Sequence, residues 1–570
     1  MKIREEIKSA VSKVLDDLKI EGFEIVFSSD LSHADFSTNI SFTIFYKLKE
    51  KFKNPLELAT HISNKLQKKL PEIETIEVSK PGFINFFLSE KYLLREIDQI
   101  TSSKNYGKGA LLSGKKIMLE FADPNPFKEF HIGHLRNISL GESYARLLEF
   151  QAANVWRVNY QGDVGMHVAK ALYGLLQISD LKSQISNLEK KPISERSKFL
   201  GGAYIAGAKA YEEDEKAKKE IQQINLKIYK KEDPGLKKLW EEGRAWSLKH
   251  FENIYQRVGT QYERFYFESE AAEPGRKLVL ENIDNGIFEK HEGAIVFRGD
   301  HTRVFVTKED YATYEAKDLA LAKLKYQDFK YDRSIIITAN EQEPYFKIVL
   351  EAMGRVLPEL AEKTVHYPFG FVNLKEGKMS SRKGDVISAE WLLDEAKKRI
   401  KERFTDMDED TLEKVAVGAV KYSMLKFSRK SDIAFSFDES INLEGNSGPY
   451  LQYTFARTQS VLDKSQIPNS KFQINTKSQN LNSKLEDEEL LILRLLIHFP
   501  EVVEEAEENF APNLLCNYLF DLAQKFNNFY QKHKILGSDK EEFRLQLTFA
   551  VGQTLKTGLY LLGIESPEKM

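Results

Sequence analysis

The chain has 570 residues and a formal net charge of −3, with 42% hydrophobic and 30% charged residues. Its single cysteine, Cys516, excludes an internal disulfide and any zinc cluster built from cysteines, and no apolar run approaches the length of a membrane span. The charge total neither supports nor excludes a nucleic-acid partner, because charges can segregate to one face. Acidic residues in the first helical segment argue against a mitochondrial presequence, so we expect a multidomain cytoplasmic protein.

Residues 1–112 are predicted to form a small α+β module. An amphipathic helical pattern opens the chain, and strand candidates follow at 23–27, 76–79 and 82–88. A segment rich in glycine and serine, from 102 to 114, then separates this module from the next domain.

Residues 113–390 are predicted to form a Rossmann-like domain with a parallel sheet. A strand at 116–121, a proline-rich loop, a long helix beginning near His134 and a second strand at 155–159 make a βαβ pattern. A charged helical insertion lies near 175–260, and strand-like segments return at 294–298, 304–307 and 334–338.

The pattern beyond Gly384 is helical to the end of the chain. We expect a helical connector at 391–440 and a helical bundle at 441–570, interrupted by a polar loop at 464–484. The fold class predicted for the whole chain is therefore a multidomain α/β protein with an N-terminal α+β module and a C-terminal helical bundle.

Two basic motifs that contain glycine indicate an ATP site. The first, His131-Ile132-Gly133-His134, lies at the start of the first predicted helix of the sheet domain, where free backbone N–H groups favour phosphate. The second begins at Lys378. Attack of a carboxylate on an α-phosphate needs no general base, since the carboxylate is already ionised, so positioning and charge stabilisation must supply the catalysis.

Together, the two motifs resemble the signature motifs of class I aminoacyl-tRNA synthetases, and the residues around them narrow the resemblance to arginyl-tRNA synthetase. Glu120, Asn125 and Lys128 match that family at the same spacing before His131, whereas Asp123 stands where a serine is common. The resemblance implies that His131, His134, Lys128 and Lys378 are catalytic. It implies further ATP contacts from Gly133, Gly377, Met379, Ser380, Ser381, Arg382 and Lys383.

One departure concerns the second motif, in which Ser381 replaces a lysine of the class I pattern. Many arginyl enzymes share this change and carry a lysine three residues before the first histidine, as Lys128 is here. Lys383 is the other candidate for the same role, so the sequence leaves two alternatives.

The family resemblance also implies an arginine pocket. Tyr314 and Asp318 match a Tyr-x-x-x-Asp pattern whose helical spacing puts both on one face, where they would hold the cationic end of the substrate. Asn125 would contact the α-amino or carboxylate group, and Glu120 and Gln342 would line the same pocket. The family usually has His-Phe after that glutamine, whereas this chain has Tyr345-Phe346.

The implied tRNA contacts lie at the two ends of the chain. Tyr450, Tyr453 and Arg457 share a helical face at the start of a segment that resembles the family's anticodon-binding domain, and stacked aromatics with a cation hold splayed bases. Met570 would reach the anticodon loop and Asn85 the tRNA elbow. The alternatives are core packing for the tyrosines and a structural strand position for Asn85.

The resemblance as a whole implies the formation of arginyl-adenylate from ATP and L-arginine, followed by transfer to the 2′-hydroxyl of the terminal adenosine of tRNA(Arg). We expect Mg²⁺ to be carried by ATP, with no metal bound by the protein alone, and we expect a monomer without a membrane contact. Two other classes remain open: a small-molecule adenylyltransferase, and a catalytically silent RNA-binding paralogue.

Overall fold

The N-terminal module is an antiparallel sheet covered by helices. The computed structural model describes residues 2–15, 23–28, 34–67, 69–375, 387–465 and 484–570. The elements of the module are α1 (Lys2–Val14), β1 (Val26–Phe27), β2 (Phe36–Thr38), α2 (Ile40–Phe45), α3 (Pro55–Leu66), β3 (Ile73–Ser79), β4 (Phe83–Leu88) and α4 (Glu90–Ser102). The strand order is β1-β2-β4-β3. The strand predicted at 23–27 pairs only through its last two residues, since β1 is that short.

The central domain begins with a βαβ unit, as predicted. Its first elements are β5 (Lys116–Glu120), α5 (Ile132–Phe150), β6 (Asn154–Gln161), α6 (Met166–Leu176), α7 (Leu181–Leu188), α8 (Ile193–Glu213), α9 (Glu215–Lys230), α10 (Pro234–Arg257), β7 (Arg264–Phe267) and α11 (Glu268–Glu281). Helix α5 starts two residues before the predicted position, because His131 caps it. The charged insertion forms the helices α7 to α10, of which α8, α9 and α10 pack against α6.

The second half of this domain returns to the same sheet. Its elements are β8 (Glu289–His291), β9 (Ala294–Arg298), β10 (Thr302–Val306), α12 (Tyr314–Asp328), β11 (Arg333–Ala339), a short 3₁₀ helix (Asn340–Gln342), α13 (Glu343–Val356), α14 (Pro358–Lys363), β12 (Thr364–Phe369) and β13 (Val372–Leu374). Strands β8, β9 and β10 form a separate antiparallel sheet.

The main sheet has the order β12-β11-β5-β6-β7, and every neighbouring pair is parallel. The chain passes from β5 to β6 on one side and later adds β11 on the other side of β5. Ligands of such sheets bind at the carboxyl ends of the strands, where the direction of winding reverses. The fold therefore predicts a site at the carboxyl end of β5, and the predicted fold class is confirmed.

The described residues from 387 to the end of the chain are helical apart from one short strand. It contains α15 (Ala389–Arg403), α16 (Glu409–Leu425), β14 (Ile433–Phe435), α17 (Phe437–Ser440), α18 (Gly448–Ser465), α19 (Asp487–Glu508), α20 (Pro512–Lys532) and α21 (Glu541–Leu561). The predicted polar loop falls mainly on residues 466–483, which lie outside the described residues.

The helical bundle packs directly on the sheet domain. Helix α5 donates hydrogen bonds to the bundle from Ser143 Oγ to Leu561 O (3.0 Å) and from Tyr144 OH to Phe510 O (2.7 Å). The buried ammonium of Lys421, on α16, donates to Val258 O at 2.7 Å and also to Gly563 O, so it joins the end of α10 to the C-terminal segment. Buried carbonyls need such partners, and these bonds fix the bundle relative to the site.

Candidate active site

A cavity of about 880 Å³ opens at the carboxyl end of β5. Nine residues that the sequence analysis singled out line it: Glu120, Asn125, Lys128, His131, Gly133, His134, Tyr314, Asp318 and Gln342. The structure thus brings together residues that are up to 222 positions apart, from Glu120 to Gln342.

The backbone hydrogen bonds of the motif define the tautomer of both histidines. His131 Nδ1 accepts from the backbone N–H of Gly133 at 3.1 Å, and His134 Nδ1 accepts from the backbone N–H of His131 at 3.1 Å. These bonds form a reciprocal cap at the start of α5, and the two rings stack with centroids 3.7 Å apart. Because each Nδ1 is an acceptor, each neutral ring carries its proton on Nε2 and can donate from there.

Both imidazoles are neutral near pH 7. Burial, with a smaller contribution from the charge of Lys128, lowers the pKa of His131 to about 4. Burial also lowers the pKa of His134 well below its usual range, and the neighbouring His131 and Lys128 act in the same direction. Two neutral N–H donors at a helix N-terminus can stabilise charge that develops on a phosphate without themselves changing protonation.

Gly133 leaves room for the side chain of its neighbour His131. A Cβ added at this position would lie 3.0 Å from Cε1 and Nδ1 of the His131 ring. Any other residue would crowd the His131 ring, which would have to shift by a few tenths of an ångström within its capping position. This packing adds to the expectation from the family resemblance that Gly133 contacts ATP.

The loop that leads from β5 to α5 is held in an unusual conformation. Ala122, Asp123 and Phe127 all have positive φ, at 77°, 45° and 68°. Such residues persist only where the surroundings hold them, and they are frequent at functional sites. The side chain of Asp123 accepts from the backbone N–H of Tyr160 at 2.8 Å, and Ser247 Oγ accepts from the backbone N–H of Phe127 at 2.9 Å.

Lys128 lies on this loop and reaches the cavity. Its ammonium lies 4.9 Å from the ring centroid of Tyr204, on the insertion helix α8. A cation over an aromatic face gains electrostatic attraction. The insertion therefore supports Lys128, one of the two candidates to replace the lysine that is missing from the second motif. Its alternative, Lys383, lies outside the described residues together with the other second-motif residues Gly377, Lys378, Met379, Ser380, Ser381 and Arg382.

The acidic part of the cavity is built around helix α12. Tyr314 is the first residue of this helix and Asp318 follows one turn later, so both lie at the cavity as the predicted spacing requires. Asp318 Oδ2 accepts from the hydroxyl of Tyr345 at 2.6 Å. Burial raises the pKa of Asp318 to about 7, and the hydrogen bond from Tyr345 opposes this rise.

Glu120 reaches the cavity as one partner of a buried ion pair. Its carboxylate is paired with the ammonium of Lys325, on α12, and both side chains are buried. A second buried pair lies nearby, between Lys317 and Glu268 with an Nζ–Oε2 distance of 2.7 Å. The family resemblance implied that Glu120 lines the arginine pocket, whereas its partner Lys325 was not predicted. The sequence feature that could have indicated Lys325 is its position two helical turns after Asp318, which places both residues on the same face of α12.

Residues 159–163, at the end of β6 and in the turn after it, contact the segment that follows β5 and so support the site. The side chain of Asn159 donates to Phe121 O at 3.0 Å, and Asp163 binds Ser269 and Arg244. A Cβ at Gly162 would lie only 2.3 Å from Asn125 Oδ1, so only glycine leaves Asn125 in place. The turn formed by Gly162 and Asp163 therefore helps to position Asn125 in the cavity.

The predicted tRNA contacts differ in their accessibility. Tyr453 and Arg457 are partly exposed on α18, and the Arg457 guanidinium lies between the rings of Tyr453 (4.8 Å) and Tyr530 (5.0 Å). Tyr530, on α20, was not identified from the sequence. Tyr450 is 9% exposed, and its hydroxyl accepts from Asn527 Nδ2 at 3.0 Å. Its ring packs in the bundle, so the core-packing alternative describes Tyr450 better than stacking on a base.

The other two residues lie at opposite ends of the chain. Asn85 is partly exposed in β4, where its amide accepts from Ser37 Oγ at 2.9 Å and donates to Ser79 Oγ at 3.3 Å. These bonds across the sheet fit the structural alternative for Asn85. Met570 is partly buried against the main hydrophobic core.

Comparisons with known proteins identify the family. Family models match over residues 96–437 (tRNA synthetases class I (R), catalytic domain), 451–570 (DALR anticodon binding domain) and 1–88 (arginyl tRNA synthetase N terminal domain). An arginine–tRNA ligase of Treponema denticola is 32% identical, covering 93% of each chain, and one of Bacteroides thetaiotaomicron is 28% identical, covering 100% of each.

Solved structures agree with these matches. The arginyl-tRNA synthetase of Thermus thermophilus superposes with a TM-score of 0.79 at 25% identity, covering 100% of both chains. That of Plasmodium falciparum shares the fold, with a TM-score of 0.78 at 24% identity.

The parallel sheet, the His-Ile-Gly-His cap at its helix and the matched catalytic domain define a class I aminoacyl-tRNA synthetase. Within that class, the chain belongs to the arginyl-tRNA synthetase family, and it catalyses the attachment of arginine to tRNA. Among the described residues, no helix is long and apolar enough to cross a membrane.

Proposed function

We propose that the cavity binds ATP and L-arginine together and joins them as arginyl-adenylate. The arginyl group would then pass to the 2′-hydroxyl of the terminal adenosine of tRNA(Arg). The observation that carries this proposal is the pair of neutral histidines, His131 and His134, held as Nε2–H donors in the same cavity as Asp318.

The phosphates of ATP would lie at the start of α5. There, His131 and His134 would donate from Nε2 to the α-phosphate, and Lys128 would supply the positive charge. Gly133 would lie against the adenine. Lys378 would contact the β- and γ-phosphates, with further contacts from Gly377, Met379, Ser380, Ser381, Arg382 and Lys383.

The guanidinium of arginine would lie against Asp318 and Tyr314. A carboxylate offers two oxygens to a planar guanidinium, and a charged hydrogen bond contributes more than a neutral one. Asn125 would bind the α-amino or carboxylate group, and Gln342 would line the pocket. Glu120 would act mainly through its ion pair with Lys325, which leaves Asp318 as the carboxylate for the substrate.

The tRNA would extend over the outer domains. Tyr453 and Arg457, with Tyr530 beside them, would hold anticodon bases by stacking. Tyr450 would support that surface from within the bundle. Met570 would approach the anticodon loop, and Asn85 would contact the tRNA elbow.

The remaining proposals concern domains, ions and assembly. We assign residues 1–112 to the elbow-binding module, 113–390 to catalysis with the insertion near 175–260, 391–440 to a connector and 441–570 to anticodon binding. Mg²⁺ would arrive bound to the phosphates of ATP, because it dehydrates reluctantly and commonly enters such sites with phosphate oxygens as ligands. We further propose a cytoplasmic monomer.

Lysine substitutions test the ATP assignment. Lys128→Ala should lower kcat for aminoacylation by about 10²–10³, as expected when one donor to a developing charge is removed, whereas Lys383→Ala should lower it only a few-fold. Equal losses, or a larger loss for Lys383→Ala, would contradict the assignment. Lys170→Ala is the matched control, because Lys170 also contacts a tyrosine of α8, Tyr211, at 4.1 Å but does not line the cavity.

A further inference from the structure

A tyrosine that is not part of the family pattern contacts the carboxylate proposed to bind arginine. Tyr345 lies at the start of α13, directly after the 3₁₀ helix that carries Gln342. Its hydroxyl donates to Asp318 Oδ2 at 2.6 Å, a short bond of the kind formed with an ionised acceptor. Asp318 is thus held from a second helix.

The ring of Tyr345 is itself held by an aromatic series. It meets the ring of Phe346 edge-on, with centroids 5.1 Å apart and an interplanar angle of 86°. Phe346 stacks on His366 at 4.3 Å, and His366 Nε2 lies 2.8 Å from Thr338 Oγ1. Because its neighbours are packed on the sheet, the hydroxyl points at Asp318 before any substrate arrives. Residues that do not touch the substrate but hold the residues that do determine how accurately a site is preorganised.

The charges around Asp318 make this bond consequential. The titratable groups that face it are Tyr345 from α13, Glu120 from β5, Lys325 from its own helix, Glu268 from α11, Tyr160 from β6 and Asp123 from the loop after β5. Lys325 forms its ion pair with Glu120, and Glu268 forms its ion pair with Lys317. Tyr345 is the residue among these that donates a hydrogen bond directly to Asp318.

We propose that Tyr345 is a positioning residue for arginine recognition, which holds Oδ2 of Asp318 so that the rest of the carboxylate faces the substrate guanidinium. This inference rests on the proposed role of Asp318. Tyr345 remains a donor throughout the working range, because burial raises its pKa well above the usual value for a tyrosine. Without the hydroxyl, Asp318 would turn more freely and would ionise only at higher pH.

The test is Tyr345→Phe, assayed by tRNA aminoacylation with varied arginine and, separately, varied ATP. We expect the KM for arginine at pH 7 to rise about tenfold, the range for losing a hydrogen bond to a charged group, with kcat and the KM for ATP changed less than about twofold. The increase should shrink toward pH 9, where Asp318 ionises without help. An unchanged KM for arginine, or an increase of the same size at every pH, would overturn the inference.

Two further variants separate the possible failures. Tyr266→Phe is the matched control, because Tyr266 OH donates to Asp328 Oδ2 at 2.9 Å on the same helix α12 but does not line the cavity. Tyr266→Phe should leave the KM for arginine unchanged. If it raises that KM as much as Tyr345→Phe does, the effect of Tyr345→Phe comes from the packing of α12 and not from the position of Asp318. Asp318→Asn should raise the KM for arginine more than Tyr345→Phe does. If Asp318→Asn has no effect, the pocket assignment itself is wrong, whereas an effect of Asp318→Asn alone overturns only the role of Tyr345.

Discussion

We expect His134 to perform two separable tasks, capping α5 and donating to the α-phosphate, and two substitutions can divide them. Its Nδ1 accepts the backbone N–H of His131 and so caps α5, while its Nε2 is proposed to donate to the α-phosphate. The side-chain oxygen of asparagine can occupy the position of Nδ1, and the amide nitrogen of glutamine can reach the position of Nε2. We therefore expect His134→Asn to keep the cap and lose the catalytic donor, and His134→Gln to do the reverse.

The expected sizes follow from the two contacts. Losing a helix cap costs about 0.5–2 kcal/mol of stability, so His134→Gln should unfold at a lower denaturant concentration than the natural enzyme. Losing a donor to a developing anion costs about 2.7–4 kcal/mol of transition-state stabilisation. His134→Asn should therefore lower kcat by about 10²–10³ while its stability stays close to that of the natural protein.

The two readouts are kcat at saturating arginine, ATP and tRNA, and the free energy of unfolding from urea titration. The separation of tasks predicts opposite rank orders in the two measurements. If His134→Asn retains more activity than His134→Gln, or if both variants lose stability equally, the assignment of the two ring nitrogens is incorrect.

Two further predictions concern groups outside the cavity. The buried carboxylate of Asp35 is paired with Arg494 of α19 at 3.1 Å, and burial raises its pKa to about 6, so its ionised form is tolerated above pH 6 only with that partner. Arg494→Met should destabilise the protein by about 2 kcal/mol at pH 8 and by less at pH 5 in urea titrations, which is less than the cost of breaking a fully buried pair because the Arg494 side chain is 17% exposed. Adding Asp35→Asn to the Arg494→Met variant should remove this pH dependence. Burial lowers the pKa of His250 to about 4, so its contribution to stability is full above pH 6.5 and is lost as the pH falls toward 4. His250→Gln should flatten the decline of unfolding free energy between pH 6.5 and 4 by up to about 1.4 kcal/mol per pH unit, and an unchanged slope would show that His250 takes up a proton in the folded state.

The sequence predicted the βαβ start of the sheet domain and nine of the residues that line the cavity, because their motifs are local. Tyr314 and Asp318 lie one helical turn apart, so their relative placement follows from helix geometry. His131 and His134 lie three residues apart at the start of α5, where the reciprocal cap sets their relative placement. Their protonation could not be predicted, since the low pKa of His131 depends on burial by distant parts of the chain.

Long-range pairs were the parts that the sequence could not supply. Helical spacing places Lys325 on the same face of α12 as Asp318. Its contact with Glu120, and that of Tyr345 with Asp318, depend on how the helices α12 and α13 pack in the fold, which no local pattern encodes. Tyr450 shows a related limit. An aromatic residue on a helix fits a nucleic-acid surface and a bundle core equally well until the orientation of the helix is known.

The central claim is that this cavity activates arginine for attachment to tRNA. The most direct measurement is the charging of bulk bacterial tRNA by the purified protein, with ATP and Mg²⁺, using each of the twenty amino acids separately. Charging with arginine alone is the predicted result, and Asp318→Asn should abolish most of it at low arginine concentration. Charging with a different amino acid would contradict the pocket built around Asp318, and tRNA binding without any charging would contradict the catalytic assignment as a whole.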